Sequence, residues 1–168
     1  MLEQSALWLS ALELPSLTGN GAVRRVLDAA TRQPLGNACW PPPAWPAVLR
    51  ALTPRSCRVS EAPDDSLLFI CRRNWCGLTA PWVYDADGNR VARLGRHWIT
   101  SPYGLPLAAV RRDADGRSGR FDGPGGIELA CWQPSGGGTL VHFAPDLDHE
   151  PLVKMSLLAA TLVQSTEF

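Results

Sequence analysis

The chain has 168 residues, 45% of them hydrophobic, and its 16 basic and 16 acidic residues give a formal net charge of zero at pH 7. This length and composition are typical of a globular domain with a single core, so we predict one domain over residues 1–168. A balanced charge gives no global field that would recruit nucleic acid, and we expect no nucleic-acid partner. Fifteen of the basic residues are arginines scattered along the sequence, which a codon bias explains better than a phosphate-binding patch does.

Five cysteines, an odd number, and a start without a positively charged leader indicate a reducing cytoplasm with free thiols. The cysteines are Cys39, Cys57, Cys71, Cys76 and Cys131. The longest apolar run has about 12 residues, or roughly 18 Å of helix, against a hydrocarbon core of ~30 Å. We therefore expect no transmembrane segment and a cytoplasmic location, with peripheral contact to a membrane as an open alternative.

Turn signals at short intervals predict a meandering antiparallel sheet. The first segment, residues 7–17, fits either a short helix or an edge strand. Three later stretches place an apolar strand before an Asp-Ala turn, and two of these turns contain Asp-Gly, which favours a tight hairpin. They are residues 26–36, 83–91 and 110–117. Repetition of such a hairpin argues against the β-α-β alternation of a parallel sheet.

After the first hairpin, residues 38–47 are rich in tryptophan and proline. Prolines lack the N–H groups that a central strand needs, so this segment is predicted to be a loop in the polyproline II conformation. It contains one Pro-x-x-Pro match, which a partner domain can recognise. The candidate partner-binding residues are Trp40, Pro43, Trp45 and Pro46. The alternative is a rigid loop that packs on the domain's own core.

The second half of the chain predicts further strands and then a closing helix. The additional strands are expected at residues 57–61, 67–71, 127–132 and 139–143. The helix is predicted over about residues 150–164. Lys154, Thr161 and Ser165 share one narrow stripe of it, while nearly all other positions are apolar. A helix that is apolar over most of its circumference has to be buried, and the strands upstream are the available partner.

The residues that lead into this helix form a motif. They are Phe143, Pro145, Asp146, Leu147 and Asp148, followed by Lys154, Met155 and a Leu/Ala-rich helix. The motif resembles the C-terminal signature of the phospholipid scramblase family, and equally that of the LURP-one-related and tubby-like proteins. The resemblance implies a mainly β fold, a closed antiparallel barrel of about twelve strands around a central hydrophobic C-terminal α-helix.

The resemblance to scramblases also implies a calcium site that combines an acidic segment with Asp146 and Asp148. The corresponding segment here, residues 134–139, carries no carboxylate. Calcium takes six to eight oxygen ligands, more than two aspartates supply. We therefore expect neither a metal nor any other cofactor.

The resemblance to tubby-like proteins implies that lysine and arginine on the outer face of the barrel hold phosphoinositide headgroups. The candidate lipid-binding residues are Arg72, Arg73, Arg111 and Arg112, each pair placed after an apolar strand. Because neighbouring strand residues point to opposite faces, each pair is expected to contribute one outward charge. The alternative is an ordinary solvated face.

Catalytic signals are sparse. The sequence has no Gly-x-Ser-x-Gly elbow and no phosphate-binding loop. The spacing of Cys71 and Cys76 does not fit a zinc site. Cys76 or Cys131 with His97 or His142 and an aspartate would form a catalytic set only if the fold brought them together.

These observations predict a non-enzymatic binding or scaffold module that contacts anionic phospholipid headgroups transiently. Two alternatives stay open. One is an enzyme with a Cys/His-centred site at the mouth of the barrel. The other is a protein–protein interaction module that uses the Trp/Pro-rich segment.

Overall fold

The computed structural model describes residues 1–13, 21–41, 55–73 and 79–165. The strands are β1 Ala6–Leu9, β2 Ala22–Asp28, β3 Pro34–Trp40, β4 Arg55–Glu61, β5 Ser66–Arg73, β6 Trp82–Asp85, β7 Arg90–Leu94, β8 Trp98–Thr100, β9 Pro106–Arg112, β10 Gly119–Asp122, β11 Glu128–Ser135 and β12 Gly138–Phe143. Short 3-10 helices cover Pro124–Gly126 and Pro145–His149, and α1 spans Pro151–Ser165. Each strand pairs antiparallel with its sequence neighbours, and β1 also pairs with β12, which closes the barrel. The predicted barrel with one C-terminal helix is confirmed.

The first strand resolves the choice that the sequence left open. β1 pairs with β2 on one side and with β12 on the other, so it is an internal strand of the barrel and not an edge strand. Leu7 and Leu9 point inward and are fully buried. Four residues give too few periods to separate a strand from a helix, and the pairing decides.

The Trp/Pro-rich segment begins later than predicted. Trp40 belongs to β3 and pairs with Ala22, so the interpretation of Trp40 as a loop residue is wrong. The ladder continues to Trp40 because that residue still has an N–H group, whereas Pro41 does not. Trp40 is half-buried and packs against the core. The other candidate partner-binding residues, Pro43, Trp45 and Pro46, lie outside the described residues.

The closing helix occupies the interior of the barrel, as predicted. Leu157, Leu158 and Ala159 of α1 are fully buried. They belong to the same core cluster as the inward-facing residues of the strands, for example Phe69 of β5 and Phe121 of β10. The apolar sequence of the helix and the closed sheet therefore explain each other, since each buries the other's apolar surface.

The polar positions of α1 are buried as well. Ser156 and Thr161 are completely buried, yet both hydroxyls have acceptors within the helix. The Ser156 hydroxyl donates to the carbonyl of Leu152 at 2.7 Å, and that of Thr161 donates to Leu157 at 3.0 Å. Because these bonds run to the residue four positions earlier, neither hydroxyl requires water or a strand partner.

Lys154 closes one end of the barrel. It is the chain's only lysine, and it is 0% exposed. Its Nζ atom donates to Asp148 Oδ1 at 2.6 Å and to the carbonyls of Leu2 and Gln4 at 3.1 and 3.3 Å. The ammonium also lies 5.6 Å from the centre of the Phe143 ring. A buried ammonium needs such a set of partners, because an unpaired one is costly.

The repeated hairpins carry aspartates that hold the turns. The backbone and hydroxyl of Thr31 hydrogen-bond the Asp28 carboxylate between β2 and β3. The amide side chain and the backbone N–H of Asn89 bond Asp85 between β6 and β7. These bonds favour the charged form, so they lower the pKa of Asp28 and of Asp85 below the ordinary value of 3.8.

These turns predict the direction of the acid response. A carboxylate whose pKa is lower in the folded than in the unfolded state stabilises the fold. This stabilisation is fully present above the pKa of the unfolded state and is lost as pH falls through the pKa of the folded state. We expect Tm to be level from about pH 7 to about pH 5 and to fall below about pH 4. Thermal unfolding followed by circular dichroism measures this, and the fall should be shallower in the variant Asp85→Asn. A Tm that is unchanged down to about pH 2.5 would contradict the assignment.

Candidate functional site: a basic rim

The two ends of the barrel are chemically different. Odd-numbered strands all run in one direction and even-numbered strands in the other, so every turn lies at one of two rims. We call the end where β1, β3, β5, β7, β9 and β11 finish the basic rim, and the opposite end the acidic rim. α1 starts at the acidic rim, where Lys154 reaches Leu2 and Gln4, and runs through the interior towards the basic rim.

The charged residues of the described segments separate between these rims. At or near the basic rim are nine arginines, Arg24, Arg72, Arg73, Arg93, Arg96, Arg111, Arg112, Arg117 and Arg120, with three acidic residues, Glu13, Asp113 and Asp115. At or near the acidic rim are Arg32, Arg90 and Lys154, with ten acidic residues, Glu3, Asp28, Glu61, Asp64, Asp65, Asp85, Asp87, Asp146, Asp148 and Glu150. Asp122 and Glu128 lie between the two rims, beside Arg111 and Arg120. A zero net charge therefore conceals a strong charge asymmetry.

This separation follows from the meander. The turns at alternate hairpins lie at the same rim, so residues far apart in the sequence become neighbours. Two of the three Asp-Ala hairpin turns, at Asp28 and Asp85, lie at the acidic rim, and the third, at Asp113 and Asp115, lies at the basic rim. The arginines lie at the opposite ends of the same strands and in the turns there. Arginines that are scattered in the sequence are consequently gathered in space.

Buried Arg24 belongs to the inner side of the basic rim. Its guanidinium donates to the carbonyl of Ser10 and, at 2.8 Å, to the hydroxyl of Thr139. Burial lowers the pKa of Arg24 to about 10, which still leaves the guanidinium charged at neutral pH. Arg24 thus holds β1, β2 and β12 together below the surface.

A concavity of about 920 Å³ beside the basic rim is lined by residues of β9, β10 and β11 and of the β9–β10 turn. Its lining includes charged and polar side chains from all three strands and from the β9–β10 turn. They are Arg111, Arg112, Asp113, Ser118, Arg120, Glu128, Cys131 and Gln133. Three of its five charged side chains are arginines, whose guanidinium groups suit the recognition of phosphate or carboxylate.

Two of these arginines are held in place by a carboxylate beneath them. Asp122 Oδ2 lies 2.5 Å from Arg111 Nε, and Asp122 Oδ1 lies 3.2 Å from Arg120 Nε. The Asp122 side chain is only 7% exposed, whereas both arginines are more than half exposed. One negative charge therefore orients two positive ones. Such pre-positioned donors lose less conformational freedom when they bind an anion.

The four arginines proposed from the sequence do not form one site. Arg72 and Arg111 point outward from their strands. Arg73 and Arg112, the last residues of β5 and β9, are at positions that point inward. The Arg72 guanidinium lies 5.5 Å from the centre of the Tyr84 ring. β5 and β9 are four strand positions apart, or roughly 19 Å along the sheet, so only the second pair contributes to the concavity.

Sequence reasoning missed Arg120 and Asp122. Both lie in β10, a strand of four residues that the sequence suggested only as the far side of a hairpin. The signal that identifies them is the register, because Arg120 lies directly opposite Arg111 in β9 and opposite Cys131 in β11. Register across three strands is a tertiary property, and a single sequence does not state it.

The structure places one cysteine and one histidine of the proposed catalytic set side by side. Cys131 in β11 lies opposite His142 in β12 on the outer face. Burial raises the pKa of the Cys131 thiol, and the charge and hydrogen bond of Glu128 raise it further. A nucleophilic cysteine needs the opposite shift, so this pair lacks the electrostatics of an activated thiolate. His97 is exposed in a turn at the basic rim.

The other described thiols are equally unsuited to nucleophilic chemistry. Cys57 and Cys71 face each other across β4 and β5 in the core, and burial raises both pKa values, that of Cys71 to about 12. Burial also raises the pKa of Cys39. Cys76, the other cysteine of the proposed catalytic set, lies outside the described residues.

Neither a metal centre nor a membrane-spanning helix is found among the described residues. No group of three or more His, Cys, Asp or Glu side chains is close enough there to hold a metal ion. Of the two aspartates in the motif before α1, Asp146 is exposed and Asp148 is bonded to Lys154. In the same part of the chain, no helix has the length and apolarity to cross a membrane.

Comparison with known proteins gives one structural similarity. No family model matches the chain. No curated protein matches it either. The X-ray structure of an Arabidopsis thaliana protein, AT5G01750, aligns over 94% of this chain and 91% of its own, with 13% sequence identity and a TM-score of 0.34. The barrel described above accordingly rests on its own strand pairing.

Proposed function

We propose that this protein is a non-enzymatic binding module that docks its basic rim on anionic phospholipid at the cytoplasmic surface of a membrane. The observation that supports this function is the separation of charge, with nine arginines at one rim and ten acidic residues at the other. A surface of that sign is attracted to acidic lipid headgroups, and the opposite rim is repelled by them.

The asymmetry also sets the orientation. Each arginine near an anionic membrane contributes about 1 kcal/mol, and this attraction decays within about one Debye length, near 10 Å at 0.1 M salt. Only one rim at a time can lie within that distance of a flat surface. The basic rim therefore faces the lipid, and binding that depends on this attraction is reversible and sensitive to salt.

The concavity on β9–β11 is the place where a single headgroup phosphate fits best. Arg111 and Arg120 are oriented by Asp122, and Arg112 adds a third guanidinium at the edge. Within the described residues Arg112 has no ion-pair partner of its own. Charge-assisted hydrogen bonds from guanidinium to phosphate are roughly twice as strong as neutral ones.

Vesicle cosedimentation tests the proposal. The vesicles are phosphatidylcholine alone, phosphatidylcholine with phosphatidylserine, and phosphatidylcholine with phosphatidylinositol 4,5-bisphosphate, each at low and high salt. We expect binding to both anionic vesicles at about 50 mM salt, a strong reduction at about 300 mM salt, and none to phosphatidylcholine alone.

A matched pair of variants tests the rim itself. Arg96→Gln, Arg112→Gln and Arg117→Gln together remove three charges from the basic rim, and we expect about 100-fold weaker binding. Arg32→Gln, Arg58→Gln and Arg90→Gln remove three charges elsewhere and should leave binding within about twofold of the unmodified protein. Absence of salt-sensitive binding to either anionic vesicle, or equal losses in both triple variants, would contradict the proposal.

A further inference from the structure

The exposed apolar side chains are confined to the rims. Within the described residues, the exposed large hydrophobic side chains are Leu12, Trp98, Tyr103, Leu105, Ile127 and Leu152. Leu12 and Trp98 lie at the basic rim, and the other four lie at the acidic rim. The outer wall of the barrel has none among the described positions. Single exposed apolar side chains are ordinary, whereas a contiguous group of them is typical of a contact surface.

At the acidic rim three of these side chains come from two neighbouring turns. Tyr103, which is 91% exposed, and Leu105 lie in the β8–β9 turn, and Ile127 lies in the β10–β11 turn. The Ser101 hydroxyl accepts the N–H of Leu105 at 3.1 Å, and its carbonyl accepts that of Gly104 at 3.0 Å. The first turn is therefore fixed, so presenting these side chains costs little further ordering. We call the three side chains the apolar tip.

The basic rim offers a complementary surface on the same side of the barrel. Trp98, which is more than half exposed, follows Arg96 in the β7–β8 turn. Arg117 lies in the β9–β10 turn, the next turn along the same rim. All of these residues and the apolar tip belong to residues 79–165, which the structure describes without a gap.

We propose that the chain associates head to tail with a second copy of itself, the apolar tip of one copy docking on the Trp98 side of the basic rim of the next. Charge favours a second copy as the partner. Two basic rims repel each other, as do two acidic rims, whereas the basic rim of one copy attracts the acidic rim of another. The contact brings Arg96 and Arg117 of one copy to the acidic rim of the other, where the turn next to the apolar tip, β6–β7, carries Asp85 and Asp87. Tyr103 presents an aromatic face that a guanidinium can stack on.

This geometry is heterologous, because the two contacting surfaces differ. Each copy keeps one unused rim after pairing, so association continues beyond the dimer as concentration rises. Head-to-tail association differs from lipid docking because it also requires the acidic rim, which an anionic membrane repels. Lipid bound at the basic rim is expected to compete with it.

Sedimentation velocity without lipid tests the inference. At about 20 mM salt the weight-average mass should rise with concentration between about 5 and about 500 µM, and at about 500 mM salt it should return to the monomer. The monomer mass is 18.2 kDa. Circular dichroism and Tm establish that each variant used below is folded.

Two complementary variants identify the geometry. The tip variant carries Tyr103→Ser and Ile127→Ser, and the rim variant carries Arg96→Glu and Arg117→Glu. Each alone should remain monomeric, because each lacks one of the two surfaces. Mixed together they should form a dimer of one copy of each and nothing larger, since the intact tip of one meets the intact rim of the other.

Three results would overturn head-to-tail association. The first is an unmodified protein that stays monomeric at low salt up to about 1 mM. The second is a mixture of folded variants that stays monomeric, and the third is self-association that persists in either variant alone. Because no vesicle is present, none of these results depends on whether the protein binds lipid.

Discussion

Replacing Leu158 with aspartate is expected to abolish soluble folding. Leu158 is fully buried in the middle of α1, inside the barrel. An aspartate there either stays charged without a partner or becomes protonated at a large cost, and it also leaves unfilled volume. The combined cost exceeds about 5 kcal/mol, which matches the whole stability of many domains of this size.

Leu152→Asp is the matched control. Leu152 lies in the first turn of the same helix and is 54% exposed, so the same chemical change should cost less than about 1 kcal/mol. Soluble yield, circular dichroism and Tm of the two variants measure the difference. A Leu158→Asp protein with an unchanged Tm would show that α1 is not the core of the barrel.

Replacing Asp148 with asparagine should be the second most damaging change. The buried Lys154 ammonium would keep its bonds to the carbonyls of Leu2 and Gln4 but would lose its only carboxylate among the described residues. Breaking a buried ion pair by removing one partner costs about 3 kcal/mol or more. Asp148 is half-exposed, which keeps the expected loss near that lower value.

Removing Lys154 is expected to cost less stability than removing its partner Asp148. Lys154→Met replaces the charge with an apolar side chain of similar length, and its effect should lie within about 1 kcal/mol. The double variant Asp148→Asn with Lys154→Met should match Lys154→Met alone, since no charge then remains to be neutralised. Free energies of unfolding from urea titrations measure this cycle. Additive losses in the double variant would show that the two side chains act independently.

The burial of α1 was predictable because apolar side chains cover most of its circumference. Its polar residues were not placed by the same reasoning. Ser156 and Thr161 are buried since their hydroxyls bond backbone carbonyls four residues earlier, and Lys154 is buried since the segment before β1 supplies two acceptors. The helical pattern alone carries no information about that N-terminal segment, which lies about 150 residues away in the chain.

The candidate site was less predictable than the fold. The hairpin patterns identify strands and turns, and strand parity places Arg111 on the outer face. The pattern does not reveal that Arg120 lies opposite Arg111, or that Asp122 orients both. The separation of charge between the rims appears only when the direction of all twelve strands is known. Local patterns determine elements, and register and direction determine the surface.

Hydrogen–deuterium exchange on phosphatidylserine vesicles tests the central claim most directly, because it reports which rim faces the lipid. If the basic rim faces the lipid, exchange should slow in the basic-rim turns at residues 95–97 and 113–118 when vesicles are added. Exchange should not change in the acidic-rim turns at residues 86–89 and 101–105. Protection of the acidic-rim turns, or of neither set while the protein is bound, would contradict this orientation.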